Sequence, residues 1–237
     1  MKEEGILYLI PNVLADNTAQ SVISPQVREV VKHTTHYLVE NPRSARRYIS
    51  SLKLDLSIPS LQMETLDKNS TEHQIKELLG PAFKGHDMGI ISEAGCPGIA
   101  DPGALAVASA HANGLRVVPL PGPSSIFLAL MASGFNGQSF TFSGYLPIEK
   151  KARIEAIKQM EKDSLRNTRT QIFMETPFRN NQLLEDLKNT LHPGTLLCVA
   201  KDITGAGEFI RSRTVAEWKK TTVDLHKVPT IFLVYAA

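Results

Sequence analysis

Cysteine is nearly missing from this chain, with two in 237 residues. Cys96 and Cys198 lie far apart and outside any C-x-x-C arrangement, which excludes a disulfide framework and a cysteine-based zinc site. Both read as small apolar side chains, Cys198 more plainly than Cys96, which sits in a loop. Long apolar runs are missing too: nothing approaches the roughly 18 residues of a membrane span. The acidic opening Met1-Lys2-Glu3-Glu4 does not read as a signal peptide, so the expected compartment is the cytoplasm. Excess charge is also lacking. A net +2 does not by itself mark a nucleic-acid binder. Basic residues nevertheless cluster twice. Residues 43–53 hold Arg43, Arg46, Arg47 and Lys53 with no acid, and residues 149–169 hold seven bases against four acids at helical spacing. Each reads either as phosphate contacts or as a solvated helix face. A serine-hydrolase elbow is absent, and His33 and His36 have no third ligand nearby, so no metal is expected.

What is present is ordinary globular composition, 42% hydrophobic and 21% charged, enough for one or two domains. Strands are expected at 5–10, 35–40, 88–91 and 115–120. They alternate with helices at 25–32, 45–52, 70–79 and 103–113, the pattern of a parallel sheet covered by helices. After an apolar helix at 126–132 the rhythm breaks at Phe140-Thr141-Phe142-Ser143-Gly144-Tyr145-Leu146-Pro147. The remainder gives helices at 149–162 and 178–191 and strands at 170–175, 195–201, 208–211 and 230–235. The fold class is therefore α/β in two domains, 1–137 with a mostly parallel sheet and 138–237 with a mixed one, and a ligand cleft is expected between them. Leu183, Leu184, Leu187 and Leu191 form one apolar stripe of core.

One connection is too long to be mere linkage. Strand-to-helix loops in α/β units take about 2–6 residues, yet Ser92 to Pro102 separates the strand at 88–91 from its helix, dense in Gly and Pro that shape a backbone tightly. A second such turn, Pro121-Gly122-Pro123-Ser124-Ser125, follows the next strand. Both leave the carboxyl ends of parallel strands, where open α/β sheets bind ligands.

In order along the chain, Ile91-Ser92-Glu93-Ala94-Gly95-Cys96-Pro97-Gly98-Ile99-Ala100-Asp101-Pro102-Gly103, Val118-Pro119-Leu120-Pro121-Gly122-Pro123-Ser124-Ser125, Ser143-Gly144-Tyr145-Leu146-Pro147, Glu175-Thr176-Pro177-Phe178-Arg179 and Ala200-Lys201-Asp202-Ile203-Thr204 resemble signature segments of the tetrapyrrole methylase superfamily. They look most like its branch of small-subunit rRNA ribose 2′-O-methyltransferases. The resemblance implies S-adenosyl-L-methionine as methyl donor, held between two α/β domains, rRNA or the small ribosomal subunit as partner, and usually a homodimer. It places Gly95, Cys96, Pro97, Ile99 and Ala100 against the donor, Ser124 and Ser125 in the second donor turn, and Met174, Pro229 and Thr230 on the adenine side. Two segments depart from the family: the first loop, Pro11 to Asn17, has no glycine, and Val39-Glu40-Asn41-Pro42-Arg43 stands where an Ala-Glu-Asp-Thr-Arg-like motif is usual.

Methyl transfer from a sulfonium is mainly an alignment task, and a ribose hydroxyl adds the need for a proton acceptor. Glu40, Glu93, Asp101 and Glu175 all fall near carboxyl ends of expected strands; Glu40 is the expected base, with Arg43 as phosphate contact or ion-pair partner. Two other readings stay open, a tetrapyrrole C-methyltransferase and a non-catalytic relative that only binds.

Overall fold

A computed structural model describes residues 4–236. Contacts divide it into two compact units, Met1–Ser124 and Ser125–Ala237. The division falls ahead of the boundary expected after residue 137, because the helix that opens the second unit packs on that unit's own strands.

The first unit runs β1 (Ile6–Leu9), α1 (Ala19–Val22), α2 (Pro25–His33), β2 (His36–Val39), α3 (Pro42–Ser51), a 3₁₀ turn (Ile58–Ser60), β3 (Gln62–Thr65), α4 (Glu72–Leu78), α5 (Gly80–Phe83), β4 (Met88–Ile91), α6 (Gly103–Ala112) and β5 (Arg116–Pro119). Its sheet has the order β3-β2-β4-β1-β5, all parallel. Alternate residues face opposite layers, as a pleat requires. Ile10, Tyr37, Val39 and Ile91 pack with Val27, Val31, Tyr48 and Ile49 of α2 and α3. Leu7, Leu38, Met88 and Ile90 pack with Ile75, Ala106 and Ala110 of α4 and α6. The fully buried β4 is the continuous apolar run expected of a strand covered on both faces. α3 starts three residues earlier than expected. Asn41 caps it, accepting from Arg43 N at 2.9 Å, and Pro42 at its first position is already set at a helical φ.

From β1 the chain crosses to one side of the sheet, toward β2, and from β4 it crosses to the other, toward β5. Connections of fixed right-handedness that leave neighbouring strands in opposite directions open a crevice at the carboxyl ends, here at β1 and β4.

The second unit runs α7 (Ser125–Ser133), β6 (Phe140–Tyr145), α8 (Lys150–Asn167), β7 (Thr170–Met174), α9 (Asn180–Thr190), β8 (Leu196–Lys201), β9 (Phe209–Thr214), α10 (Val215–Trp218) and β10 (Thr230–Tyr235). The sheet order is β6-β7-β10-β8-β9; β6 and β7 are parallel, and β10 is antiparallel to both neighbours. The expected α/β class, with one parallel and one mixed sheet, is what the chain adopts. Trp218 is buried and donates to Leu197 O at 2.8 Å, while Phe173 and Phe232 stack at 5.9 Å. The leucine stripe of α9 lies in the same core. The second basic cluster is structural in part: Arg153 of α8 is buried and grips Asp186 at 2.6 Å and Lys158 pairs with Glu155, while Lys150, Lys151, Lys162 and Arg166 are exposed and form no salt bridge among the described residues.

Candidate functional site

At the crevice of the first unit, the glycine-free loop does a job no glycine can. Asn12 is buried, and its Nδ2 donates to Ser92 O at 2.9 Å and to Glu93 O at 3.0 Å. Its backbone exchanges hydrogen bonds with Gly95, at 2.8 and 3.2 Å. Its neighbour Pro11 receives the Tyr48 hydroxyl at 2.6 Å and presses on Gly122, where an added Cβ would sit 2.2 Å from the proline ring. Pro11 and Asn12 thus tie the loop after β4 to the turn after β5. Sequence reasoning passed over Asn12; a lone amide just after a buried strand was the signal.

The long loop is ordered by its own groups. Gly95 has φ +71 and Gly98 φ +85, conformations that glycine adopts without strain. The Asp101 carboxylate accepts from Gly98 N at 2.9 Å and Gly103 N at 2.7 Å, which answers why the turn is long: it folds back on itself to open α6. Cys96 Sγ lies 3.5 Å from Pro123 O, and burial pushes its thiol pKa up. Pro97 is buried, whereas Ile99 is 52% exposed beside Ala100, a non-glycine residue held at φ +63. A side chain in the left-handed region persists only where its surroundings enforce it, and such residues concentrate at ligand sites. Ser124 ends the second turn, half-buried, and Ser125 opens α7.

The four carboxylates sort by their partners. Asp101 is occupied by two backbone amides. Glu175 is buried, 2.6 Å from Arg179 Nη2, and also accepts from Thr176 N. Glu40 and Glu93 remain, and they meet: Glu93 N donates to Glu40 Oε1 at 3.0 Å, while the Glu93 carboxylate accepts from the Ser44 hydroxyl. Burial raises the Glu40 pKa above the ordinary value; the Glu93 amide opposes this, and the charges of Asp101 and Glu93 add to it. Glu40 lines a cavity of about 530 Å³ with Leu66, Lys68, Ala100, Asp101 and Leu105. Lys68 was not anticipated, because the edge strand before it, Gln-Met-Glu-Thr, is mostly exposed and has no apolar run to announce it. Arg43 is exposed and forms no salt bridge among the described residues, so the ion pair with Glu40 does not exist. Arg46 is likewise exposed, and Arg47 only reaches Asp16 at 4.0 Å.

In the second unit, Met174 ends β7 opposite Ile231, one residue after Thr230 at the start of β10. Pro229 O accepts from Asp202 N at 2.9 Å, and the Thr230 hydroxyl donates to Val228 O at 3.0 Å. Met174, Pro229 and Thr230 are thus brought to the same end of two adjacent interior strands, β7 and β10. Among the described residues no cluster of three His, Cys, Asp or Glu is placed to hold a metal, and no helix is long and apolar enough to cross a membrane.

A parallel sheet with ligand-type loops gathered at its switch point, joined in sequence to a mixed sheet, defines the class as an α/β ligand-binding enzyme. Residues 14–219 match the family described as Tetrapyrrole (Corrin/Porphyrin) Methylases, and the chain belongs to it; it is a methyltransferase. Over 237 residues it is 27% identical to the ribosomal RNA small subunit methyltransferase I of Buchnera aphidicola subsp. Schizaphis graminum, covering 99% of this chain and 79% of that protein. The protein of the same name from Xylella fastidiosa is 30% identical over 216 residues, 91% of this chain and 75% of its own. Among solved structures, the methyltransferase CobJ superposes with a TM-score of 0.62 over 98% of this chain and 93% of its own, at 18% identity, a likeness of fold.

Proposed function

We propose that this chain transfers a methyl group from S-adenosylmethionine to a ribose 2′-hydroxyl of small-subunit rRNA, with Glu40 as proton acceptor. The observation that carries the reading is the placement of Glu40: a partly buried carboxylate with a raised pKa and no salt-bridge partner among the described residues. It lines one cavity with Ala100 of the loop assigned to the donor. The hydroxyl oxygen attacks the methyl carbon, the carbon–sulfur bond breaks with its electrons going to sulfur, and the hydroxyl proton passes to Glu40. A carboxylate with a raised pKa takes that proton more readily. The protein otherwise aligns the reactants, which the braced loop suits.

Gly95, Cys96, Pro97, Ile99 and Ala100 would contact the donor, joined by Ser124 and Ser125 and, from the ends of β7 and β10, by Met174, Pro229 and Thr230. The exposed Arg43, Arg46 and Arg47, on the helix that starts just after Glu40, would meet phosphate. Identity of 27–30% to proteins named for ribosomal RNA, against 18% to CobJ, favours RNA over a tetrapyrrole. A ribosomal substrate implies the cytoplasm. Exposed Phe127, Met131 and Phe140, the first and last in edge-to-face contact at 6.0 Å, support a homodimer.

The test is transfer of labelled methyl from S-adenosylmethionine to small ribosomal subunits from cells lacking this protein, followed by alkaline hydrolysis. Label in an alkali-resistant dinucleotide is the expected result. No incorporation by protein that binds S-adenosylhomocysteine would turn the acceptor toward tetrapyrroles; no binding at all would leave a non-catalytic relative.

A further inference from the structure

Outside the residues given a role above, the second unit carries a surface whose chemistry is unspent. Phe178, just beyond β7, is 68% exposed, although burying a phenylalanine is worth about 2–3 kcal/mol. It is not loose. Lys227 Nζ stands 5.7 Å from its ring centroid and the His226 ring meets it edge-on at 6.1 Å. Lys227 is held there at φ +60, in the left-handed region, by donating its amide to Pro177 O at 3.0 Å. The pattern then continues. Asp224, two residues before His226, accepts on its carbonyl from Lys201 Nζ at 3.0 Å, and Lys201 in turn lies 5.9 Å from the Phe209 ring, with Arg211 at 5.5 Å. The acids of this neighbourhood are engaged locally: Asp202 by Gly207 N, Glu208 by Thr204 N, and Asp224 by His226 N and Asn181 Nδ2. Lys201, Arg211 and Lys227 have no carboxylate partner among the described residues.

An exposed aromatic ring among cations that no carboxylate bridges is what a single-stranded nucleic acid needs, since bases stack on the ring and phosphates meet the charges. An apolar partner alone would have no use for the cations, and a free anion none for the exposed ring. We infer that Phe178, flanked by His226 and Lys227 and continued by the cations Lys201 and Arg211, forms a stacking platform for an unpaired stretch of the RNA substrate, while Phe209, packed against the core, carries those two cations. The platform holds an unstacked base on Phe178, so it selects single-stranded segments over duplex. This rests on the proposed RNA substrate and adds to it where the second unit grips.

The test compares wild type with Phe178→Ala, Phe178→Trp and Lys227→Ala. The probes are a single-stranded RNA of about 12 nucleotides, its duplex, small ribosomal subunits and S-adenosylhomocysteine. Phe178 is exposed, so its substitution leaves the core untouched. We expect Phe178→Ala to weaken single-strand and subunit binding by about tenfold, Phe178→Trp to restore it, and Lys227→Ala to shrink the salt slope by roughly 0.7. S-adenosylhomocysteine affinity will not change. Unaltered RNA affinity in Phe178→Ala, or equal loss on duplex, overturns the platform. A change of sedimentation state with RNA affinity intact overturns it in favour of a second copy of the chain. Wild-type transfer to subunits that Phe178→Ala leaves unaltered sinks the platform alone; a wild type that neither binds nor methylates RNA sinks the proposed function with it.

Discussion

Two strands, one in each unit, run straight out into a glutamate, and the two glutamates are treated in opposite ways. Glu175, after β7, has a side chain 1% exposed and gives its charge to Arg179 at 2.6 Å. Glu40, after β2, is only partly buried and receives one backbone amide, from Glu93; it forms no salt bridge among the described residues, although Lys68 lines the same cavity. A buried acid with a full complement of partners is structure: its charge is spent. An acid beside a second carboxylate and a cavity keeps its proton affinity raised, which is how chemistry is held ready. Position after a strand made both candidates; the partners separate them.

Removing each acid sharpens the contrast. Glu175→Ala strands Arg179, whose Nε already lacks a partner. We expect it to cost about 3 kcal/mol of stability, the low end for a broken buried pair because Arg179 keeps some solvent contact, and urea unfolding will show it. Glu40→Gln keeps shape and one acceptor oxygen but cannot take a proton at neutral pH. It will slow methyl transfer by roughly 100-fold while S-adenosylhomocysteine binding in calorimetry stays near wild type. A normal rate would remove Glu40 from the mechanism; a lost donor affinity would make it a loop brace like Asp101.

A milder change probes the loop itself. At Gly95 the left-handed φ is the main constraint and space is tight as well: an added Cβ would lie 3.3 Å from Leu14 Cδ2 and 3.5 Å from Pro123 O. Gly95→Ala will therefore cost about 1–2 kcal/mol through backbone strain. It will also weaken donor binding, because the Asn12 bridge holds the shifted segment. Intact donor affinity in a measurably destabilised Gly95→Ala protein would place the donor elsewhere.

Much of this is legible in the sequence. β1, β2 and β4 were visible because strands inside a helix-covered parallel sheet are mostly apolar, the edge strand β5 because Leu115, Val117 and Val118 still make an apolar run, and the two long loops because Gly and Pro punctuate them. β3 was invisible for the same reason reversed, its edge position leaving it polar. The helix cap at Asn41 read only as a departure from the family motif, since Asn41 followed by Pro42 fits a turn as well as a helix start. The roles of Glu175 and Asp101 were beyond sequence altogether. Both sit where catalytic acids sit, and only Arg179 in one case and the amides of Gly98 and Gly103 in the other show that they are occupied. Asn12 is the converse case, an unremarked amide whose importance appears once Ser92, Glu93 and Gly95 are seen to converge on it.

The smallest effect is the most specific, because it reads Glu40 without chemistry. Burial, with the charges of Asp101 and Glu93, raises its pKa in the folded protein above the ordinary 4.5, and the Glu93 amide only partly offsets this. Between those two values the folded chain binds more proton than the unfolded one, so this group's contribution to stability falls as pH rises through the window and is constant on either side. Glutamine carries no such proton. The stability of wild type relative to Glu40→Gln, measured by urea unfolding at stepped pH, will therefore decline as pH climbs above 4.5 and then level off. The transfer rate of wild type will rise through the same window, since only the deprotonated carboxylate accepts a proton. Opposite slopes for stability and rate, on one ionisation, are the signature of an acid kept for chemistry. A relative stability that instead rises with pH would mean that the Glu93 amide outweighs burial, and that Glu40 belongs with Glu175 as a brace.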